Sequence, residues 1–245
     1  MPDLTYCYPN SNVLRNKLNI KNLSELFQAE SELTALRLYS LYKNPIKGNF
    51  DCKHLQQIHK FLFQDLYAWA GQIRTVEIGK GNIFCTVACL QQYANSVFKN
   101  YWPECLAAKD NIQKFVQVLA KNYGDLNALH PFREGNGRTQ REFTRLVCLH
   151  CGFDLTWQNI TPHDMILASK MSFDTGNNAL FAEMFQKNIS PHGSTKQDIC
   201  LEITATLAIE ELNLSQEFLL QLQKIAQDEL TSQQLRQSLL TKYRQ

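Results

Sequence analysis

The stretch His130-Pro-Phe-Arg-Glu-Gly-Asn-Gly-Arg-Thr-Gln-Arg141 places an imidazole, a carboxylate and a glycine-bounded turn close together, with the arginines Arg138 and Arg141 after the turn. The residues that follow predict a helix, because 139–149 contain neither Gly nor Pro. Side chains that can face a core recur there at helical spacing: Phe143, Leu146, Val147 and His150. The turn Gly135-Asn136-Gly137 is therefore predicted at the N-terminus of a helix.

The residue types in this stretch suit a bound polyphosphate. The N-terminus of a helix presents backbone N–H groups and the positive end of the helix dipole, and glycines allow a ligand to approach the main chain. Arg138 and Arg141, three residues apart, are expected to aim two guanidinium forks at the phosphates, with Arg145 one turn further along. Glu134 is a candidate ligand for the Mg²⁺ that accompanies such phosphates. His130 is a candidate general base, and because it precedes Pro131 we expect it to be extended.

The same stretch matches the motif H-P-F-x-[D/E]-G-N-G-R-x-x-R at every specified position, and so resembles the Fic family. The resemblance implies a mainly α fold, a Fic-type helical bundle, and transfer of AMP from ATP onto a protein hydroxyl. In that reading His130 deprotonates the target Ser, Thr or Tyr, and Glu134 holds Mg²⁺. Gly135, Asn136 and Gly137 cradle the α- and β-phosphates, while Arg138 and Arg141 bind the β- and γ-phosphates. We also expect Phe132 to be a buried anchor beneath the loop.

A second resemblance covers residues 55–74 and the segment that follows them. Residues 73–78 are predicted to form a short strand, 79–82 a turn and 83–85 a returning strand. In Fic proteins the corresponding hairpin, called the flap, holds the target segment by strand addition. The match extends this role to six residues: Arg74, Thr75, Val76, Ile78, Lys80 and Gly81. His54 and His59 lie on the preceding helix and are expected to be packed or surface histidines rather than functional ones.

The remaining periodicity predicts further helices. One runs over 24–42 with Ser24 as its N-cap, and the next begins at Asp51. A helix from Leu90 is expected to end at Trp102, since Pro103 follows. Others are expected over 112–123, 161–173 and 178–187. Residues 190–197 resemble a linker, which divides the chain into a Fic domain (1–193) and a C-terminal module (194–245).

Three short helices are predicted in that module, over 199–212, 218–226 and 233–243, and they are expected to dock on the preceding domain. The module resembles the small antitoxins that accompany some bacterial Fic toxins, whose inhibitory helix carries [S/T]-x-x-x-E-[G/N]. Thr206 and Glu210 fit this pattern, whereas Glu211 stands where Gly or Asn is expected. The resemblance implies that Glu210 pairs with Arg141 and inhibits the enzyme in cis. An ordinary C-terminal helical cap is the alternative.

Composition limits the other possibilities. The chain has 245 residues, 44% hydrophobic and 20% charged, and a net charge of +2, which argues against nucleic acid or a membrane surface as a partner. We detect neither a signal peptide nor a transmembrane segment and expect a cytoplasmic protein with reduced cysteines. Cys148 and Cys151 are expected to be plain buried thiols, because no second pair completes a zinc site.

Two functional alternatives remain at this stage. The same fold could transfer UMP, phosphate or phosphocholine. The loop could also bind nucleotide as a switch in an interaction module that performs no catalysis. The sequence does not name the target protein, although toxins with such antitoxins are thought to modify type II topoisomerases, nor does it indicate an oligomeric state.

Overall fold

A computed structural model describes residues 5–80, 82–194 and 198–244, and within them the chain is mainly α-helical. The described residues contain ten α-helices and two small antiparallel sheets. The helices are α1 (Leu23–Lys43), α2 (Cys52–Phe63), α3 (Leu90–Ala108), α4 (Ile112–Leu129), α5 (Asn136–His150), α6 (Pro162–Thr175), α7 (Ala179–Asn188), α8 (Ile199–Ala208), α9 (Gln216–Ala226) and α10 (Ser232–Tyr243). None of them is long and apolar enough to cross a membrane.

Most helices begin where a side chain can accept a hydrogen bond from an otherwise unpaired backbone N–H. Asp51 caps α2, as predicted, and Ser215 and Thr231 cap α9 and α10. The cap of α1 was wrongly predicted: it is Asn22, whose side chain accepts from the N–H of Glu25. Ser24 lies two residues after the cap, within the first turn of the helix, and does not cap it.

Helix α3 does not end before Pro103, so that prediction was wrong. Pro103 lies inside a helix that continues to Ala108. Proline removes one backbone hydrogen bond and costs helical stability. Burial of Tyr101 and Cys105, both 0% exposed, on the face towards the core supplies the compensating packing.

Two small two-stranded sheets accompany the helices. Strands β1 (Gly79–Lys80) and β2 (Asn82–Ile83) form a minimal hairpin. The predicted strand over 73–78 was therefore wrong, and the one over 83–85 is correct only at Ile83. Strand pairing occurs largely where a turn was expected. Strands β3 (Phe153–Leu155) and β4 (Ile189–Pro191) pair antiparallel, so the start of the predicted linker is a strand. The rest of that linker, 195–197, lies outside the described residues.

Helices α8 and α10 pack on α1, and two buried carboxylates attach them to the rest of the chain. Glu202 of α8 is 0% exposed and accepts hydrogen bonds from Thr156 Oγ1 at 2.5 Å and the N–H of Trp157 at 3.0 Å. Glu32 of α1 accepts from the hydroxyl of Tyr243 at 2.8 Å. A buried carboxylate costs free energy unless it is paired, so these partners fix the C-terminal helices in place. The division of the chain at residue 193 stays a prediction.

Asp65, between α2 and the hairpin, makes a third such attachment. Its carboxylate accepts from Arg37 Nε at 2.8 Å and from Arg236 Nη2 of α10 at 2.5 Å. Burial by itself raises the pKa of Asp65, but the hydrogen bonds and ion pairs with Arg236 and Arg37 lower it further, so the net shift is downward.

We expect Asp65→Asn to lower the free energy of unfolding at neutral pH. Because the native pKa is lowered, the stabilisation by Asp65 is complete above the unfolded value of about 4 and disappears as the pH falls through the native value. Urea unfolding between pH 7 and pH 3 should show a constant difference from wild type down to about pH 5, then a shrinking one. A difference that grew on acidification would contradict this assignment.

Candidate active site

His130 lies at the C-terminal end of α4, with φ 42° and ψ 60°. The expectation of an extended residue was wrong, because His130 caps the helix in the left-handed region and its N–H still bonds to Leu126 O. The ring Nδ1 lies 2.9 Å from the carbonyl oxygen of Asn127. A carbonyl can only accept, so Nδ1 carries the proton and Nε2 of the neutral ring is the basic nitrogen. This arrangement suits a general base.

The hairpin segment holds His130 from the other side. The ring of Phe84 stacks on the imidazole with 3.7 Å between centroids and 7° between planes. Arg74 is 1% exposed, and its Nε donates to the His130 carbonyl oxygen at 2.9 Å. Its other nitrogens donate to the carbonyl oxygens of Val76 and Cys85. Arg74 therefore ties the loop before the hairpin to the histidine.

The loop 131–135 is fixed by groups beneath it. Phe132 is 0% exposed, so the predicted anchor is confirmed, and it stacks on His59 with centroids 3.8 Å apart. His59 accepts from the N–H of Gly71 through Nδ1 and donates through Nε2 to the carbonyl oxygen of Glu134. Burial lowers the pKa of His59 to about 3, so it stays neutral and keeps this pattern.

Asn136 closes the same loop with its side chain. The amide oxygen accepts from the N–H of Phe132 at 2.8 Å, and the amide nitrogen donates to the carbonyl oxygen at 2.7 Å. Both polar atoms of the Asn136 side chain therefore bond to the backbone of Phe132. A contact between Asn136 and a phosphate would come from its backbone N–H.

Helix α5 begins at the glycine turn, as predicted. Gly135 is the N-cap with φ 74°, and a Cβ there would overlap the ring of Phe63. Gly137 has the carboxylate of Glu210 and the guanidinium of Arg141 where a Cβ would be. Position 135 needs glycine because of its positive φ and because a side chain would overlap Phe63. Position 137 needs glycine because it lets an anion approach the start of the helix.

Arg138 and Arg141 both reach one carboxylate, that of Glu210. Arg141 Nη2 lies 2.5 Å from Oε1, and Arg138 Nε lies 2.9 Å from Oε2. Arg141 also donates to the carbonyl oxygen of Thr206 at 2.9 Å. The carboxylate thus bridges the two arginines at the N-terminus of α5, in the place where the sequence predicts phosphates. Thr206 is on α8, whereas Glu210 lies just after that helix, which ends at Ala208 rather than at Leu212 as predicted.

Three carboxylates surround the two arginines. Besides Glu210, Glu30 lies 2.6 Å and Glu134 3.8 Å from Arg138 Nη2. Partial burial of Glu134, followed by the nearby carboxylate of Glu30, raises the pKa of the Glu134 carboxyl. Glu134 Oε1 also accepts from the N–H of Gly135 at 2.9 Å. The cluster has three carboxylates and two arginines, so a bound cation would offset the excess of carboxylates.

Comparison with known proteins identifies this arrangement. A model described as the Fic/DOC family matches residues 49–148. The "Probable protein adenylyltransferase Fic" of Salmonella typhimurium strain LT2 is 37% identical over 192 residues, which cover 78% of this chain and 94% of that protein. The protein of the same name from Escherichia coli K12 is 35% identical over the same shares of both chains. This chain belongs to the Fic/DOC family.

A solved structure supports the same assignment. The N-terminal Fic domain of a VirB-translocated Bep effector protein from Bartonella quintana, solved with bound ADP, superimposes with a TM-score of 0.69 and is 28% identical. The match covers 77% of this chain and 96% of that chain. The mainly α Fic fold is therefore confirmed, and the chain is an enzyme, a Fic-family adenylyltransferase.

The residues predicted to form the flap of this Fic chain differ in exposure. Thr75 is exposed and Val76 and Ile78 are half-buried, whereas Arg74 is in the core. The side chain of Lys80 and the whole of Gly81 lie outside the described residues. The N–H of Phe84 donates to Ile78 O at 3.2 Å, which joins the two arms of the segment. The hairpin thus lies beside His130, but Arg74 acts as its internal support.

Sequence reasoning missed residues that act through contacts between distant segments. Glu30 is the most important, because it is an ion partner of Arg138 from α1. The available signal was its position between Leu26 and Leu33, which places a carboxylate on the buried face of a helix. Arg145, expected beside the other arginines, instead pairs with Glu142 at 2.7 Å.

The structure also explains the departure at Glu211 from the inhibitory pattern. Glu211 has φ 59°, in the left-handed region. Gly and Asn adopt this region more readily than Glu, which accounts for their place in the pattern. In this Fic chain Glu211 adopts it, and the turn still carries Glu210 to the arginines.

Proposed function

We propose that this chain transfers AMP from ATP to a Ser, Thr or Tyr hydroxyl of a target protein, and that its C-terminal module inhibits the reaction in cis. The observation that carries the proposal is the position of Glu210, whose carboxylate bridges Arg138 and Arg141 at the start of α5. An anion-binding site beside a histidine is what nucleotide transfer needs. The names of the Salmonella and Escherichia coli relatives and the ADP bound to the Bartonella quintana domain support the same reaction.

The chemistry uses His130 as the base. Its Nε2 takes the proton of the target hydroxyl, whose oxygen attacks the α-phosphorus of ATP. A new oxygen–phosphorus bond forms while the bond from the α-phosphorus to the bridging oxygen of the β-phosphate breaks, and pyrophosphate leaves. The bond from Nδ1 to Asn127 O keeps Nε2 as the acceptor, and the stack with Phe84 fixes the plane of the ring.

The N-terminus of α5 would bind the phosphates. The backbone N–H groups of Gly135, Asn136 and Gly137 and the helix dipole favour anionic oxygens there. Arg138 and Arg141 would bind the β- and γ-phosphates through the nitrogens that now face Glu210. Because these donors already lie in place, little reorganisation is needed when charge develops in the transition state.

Glu134 fits the Mg²⁺ that accompanies ATP. Its carboxylate is half-buried at the turn, and the cluster around it has more carboxylates than arginines. Mg²⁺ is commonly held by one or two carboxylates together with substrate phosphates. When bound, the ion would offset the negative charge of the phosphates. The raised pKa of Glu134 would fall as a cation approached, because the charged carboxylate would be stabilised.

The hairpin is the proposed docking edge for the target. The hairpin has only two short strands, and Phe84, which follows β2, stacks on the His130 ring and so connects the hairpin to the histidine. An extended peptide added to that edge would bring a hydroxyl close to the imidazole. The identity of the target follows from none of these contacts, and a type II topoisomerase remains the first candidate to test.

Inhibition in cis would follow from competition for the arginines. With Glu210 in place, neither arginine can bind a phosphate through the same nitrogens, and the triphosphate would be displaced from the position required for in-line attack. The buried attachments through Glu32, Asp65 and Glu202 keep the module docked. We therefore propose residues 194–245 as an inhibitory unit acting on the Fic domain.

The choice of nucleotide is tested with the Glu210→Gly variant and a cell lysate. Incubation with ATP or UTP, each labelled on the α-phosphate, should label protein from ATP and not from UTP. Mass spectrometry of the labelled protein should show an added AMP on Ser, Thr or Tyr. Labelling from UTP alone would reject the proposed substrate and support transfer of UMP.

A further inference from the structure

A buried carboxylate outside the motif, Glu30 of α1, engages Arg138 directly. Its Oε1 lies 2.6 Å from Arg138 Nη2, and the residue is 3% exposed. The hydroxyl of Tyr67 donates to the other oxygen, Oε2. Both carboxylate oxygens therefore have partners, and the ion pair is held from two sides. A charge-assisted hydrogen bond of this kind is stronger than a neutral one.

The rest of the Arg138 guanidinium is also constrained from α1 and α2. Nη1 donates to Thr34 Oγ1 at 3.3 Å, and the guanidinium carbon lies 4.8 Å from the centre of the Phe63 ring. Thr34 in turn donates to the carbonyl oxygen of Glu30 at 2.6 Å. Both terminal nitrogens thus bond to α1. The remaining nitrogen, Nε, lies at ion-pair distance from Glu210, 2.9 Å from Oε2, but its N–H makes no hydrogen bond there.

We propose that Glu30 is a positioning residue for nucleotide transfer: with Tyr67, it holds Arg138 so that Nε faces the β-phosphate. This inference rests on the proposed function, since it assumes that the phosphates take the place of Glu210. Because both terminal nitrogens of Arg138 are bound to α1, the guanidinium then offers the phosphate only the N–H of Nε, from a fixed direction. Without Glu30 the nearest alternative partner of Nη2 is Glu134, 3.8 Å away, so the guanidinium would turn towards the metal-binding carboxylate.

If Glu30 only balanced the charge of the arginines, its replacement would have the opposite effect on the site. Replacing Glu30 with Gln removes a negative charge, which by itself would make the site more cationic and tighten the binding of ATP. If Glu30 positions Arg138, the same change loosens the guanidinium, and the rate of the chemical step falls. Tyr67→Phe separates the two effects, because it removes the hydrogen bond to Glu30 without changing any charge.

The experiment compares these variants in the full chain carrying Glu210→Gly. We expect Glu30→Gln to lower kcat about tenfold without lowering KM for ATP, and Tyr67→Phe to lower kcat about fivefold. The matched control is Glu32→Gln, since Glu32 is 2% exposed on the same helix and accepts from the hydroxyl of Tyr243 in the same way. Glu32 contacts α10 instead of the active site, so kcat should stay within about twofold of the parent.

Binding measurements decide the inference even without turnover. By calorimetry, Glu30→Gln and Tyr67→Phe should raise the Kd for ADP about fivefold and leave the Kd for AMP unchanged, because only ADP carries a β-phosphate. An unchanged ADP-to-AMP ratio, a lowered KM with intact kcat, or an equal loss of kcat in Glu32→Gln would each overturn the assignment. If the Glu210→Gly parent transfers no nucleotide, the proposed function fails, and the ADP and AMP affinities still decide the role of Glu30.

Discussion

Replacing Glu210 with glycine is expected to raise the rate of AMP transfer by about 100-fold. The carboxylate now lies within ion-pair distance of both Arg138 and Arg141, so its removal frees the nitrogens that should bind the β- and γ-phosphates. A misplacement of about 1 Å at the reacting atoms is enough to cost a factor of this size. The measurement is the initial rate of protein labelling by ATP carrying the label on its α-phosphate.

The control for this variant lies one residue along the chain. Glu211 is exposed and has φ 59°, so Glu211→Gly makes the same chemical change in the same turn without strain. It should remain as inactive as wild type, because Glu210 stays in place. Equal labelling by wild type and Glu210→Gly would reject inhibition by this carboxylate. Equal activation by both variants would show that loosening the turn, rather than freeing the arginines, releases the enzyme.

Replacing His130 with alanine in the activated chain is expected to reduce transfer about 1,000-fold. The imidazole is oriented through Asn127 O and stacked on Phe84, which leaves Nε2 as the nitrogen that takes the proton. Binding of ATP should change little, because His130 is not among the phosphate-binding groups. The rate of labelling and the Kd for ATP, measured on one preparation, test both parts.

His163→Ala is the control for the loss of activity expected in His130→Ala. His163 is exposed at the start of α6 and has no place in the site, so His163→Ala should keep the activity of the parent. If His130→Ala transferred AMP within about threefold of the parent, His130 would not be the base. The remaining possibility would then be that the loop binds nucleotide without catalysing the reaction.

The sequence predicted the local part of the site because that part is encoded locally. A glycine turn followed by residues without helix breakers is sufficient to place the N-terminus of α5, and the structure confirms it. Phe132 was expected to be a buried anchor on the same grounds. The pairing of Glu210 with Arg141 could be anticipated only through the resemblance to antitoxins, since the two residues are 69 positions apart.

The parts that were missed depend on contacts between distant segments. Arg74 was expected at the docking edge, but it is buried because three carbonyl groups, those of His130, Val76 and Cys85, accept its donors. These bonds hold residues 74–76 out of a strand, which moves the hairpin to 79–83. Glu30 was missed because its partner belongs to α5, and periodicity shows which face of a helix is buried without showing which residue it meets.

Tertiary contacts also explain why predictions at the ends of helices differ from the structure. Pro103 predicted a stop, but the packing of α3 on α4 continues past it and outweighs the lost hydrogen bond. Glu211 follows the inhibitory pattern in conformation although not in residue type, because the left-handed φ it adopts is accessible to Glu at a cost of about 1 kcal/mol. In both cases tertiary contacts override a local preference that the sequence states clearly.

The most direct measurement of the central claim uses one protein and two labels. The Glu210→Gly chain is incubated with a target lysate and ATP labelled either on the α-phosphate or on the γ-phosphate. If the triphosphate binds at the start of α5 with its α-phosphorus beside His130, protein is labelled from the α-position only, and His130→Ala abolishes the signal. Labelling from the γ-position only would mean that phosphate is transferred, and would contradict the geometry proposed for His130, Arg138 and Arg141.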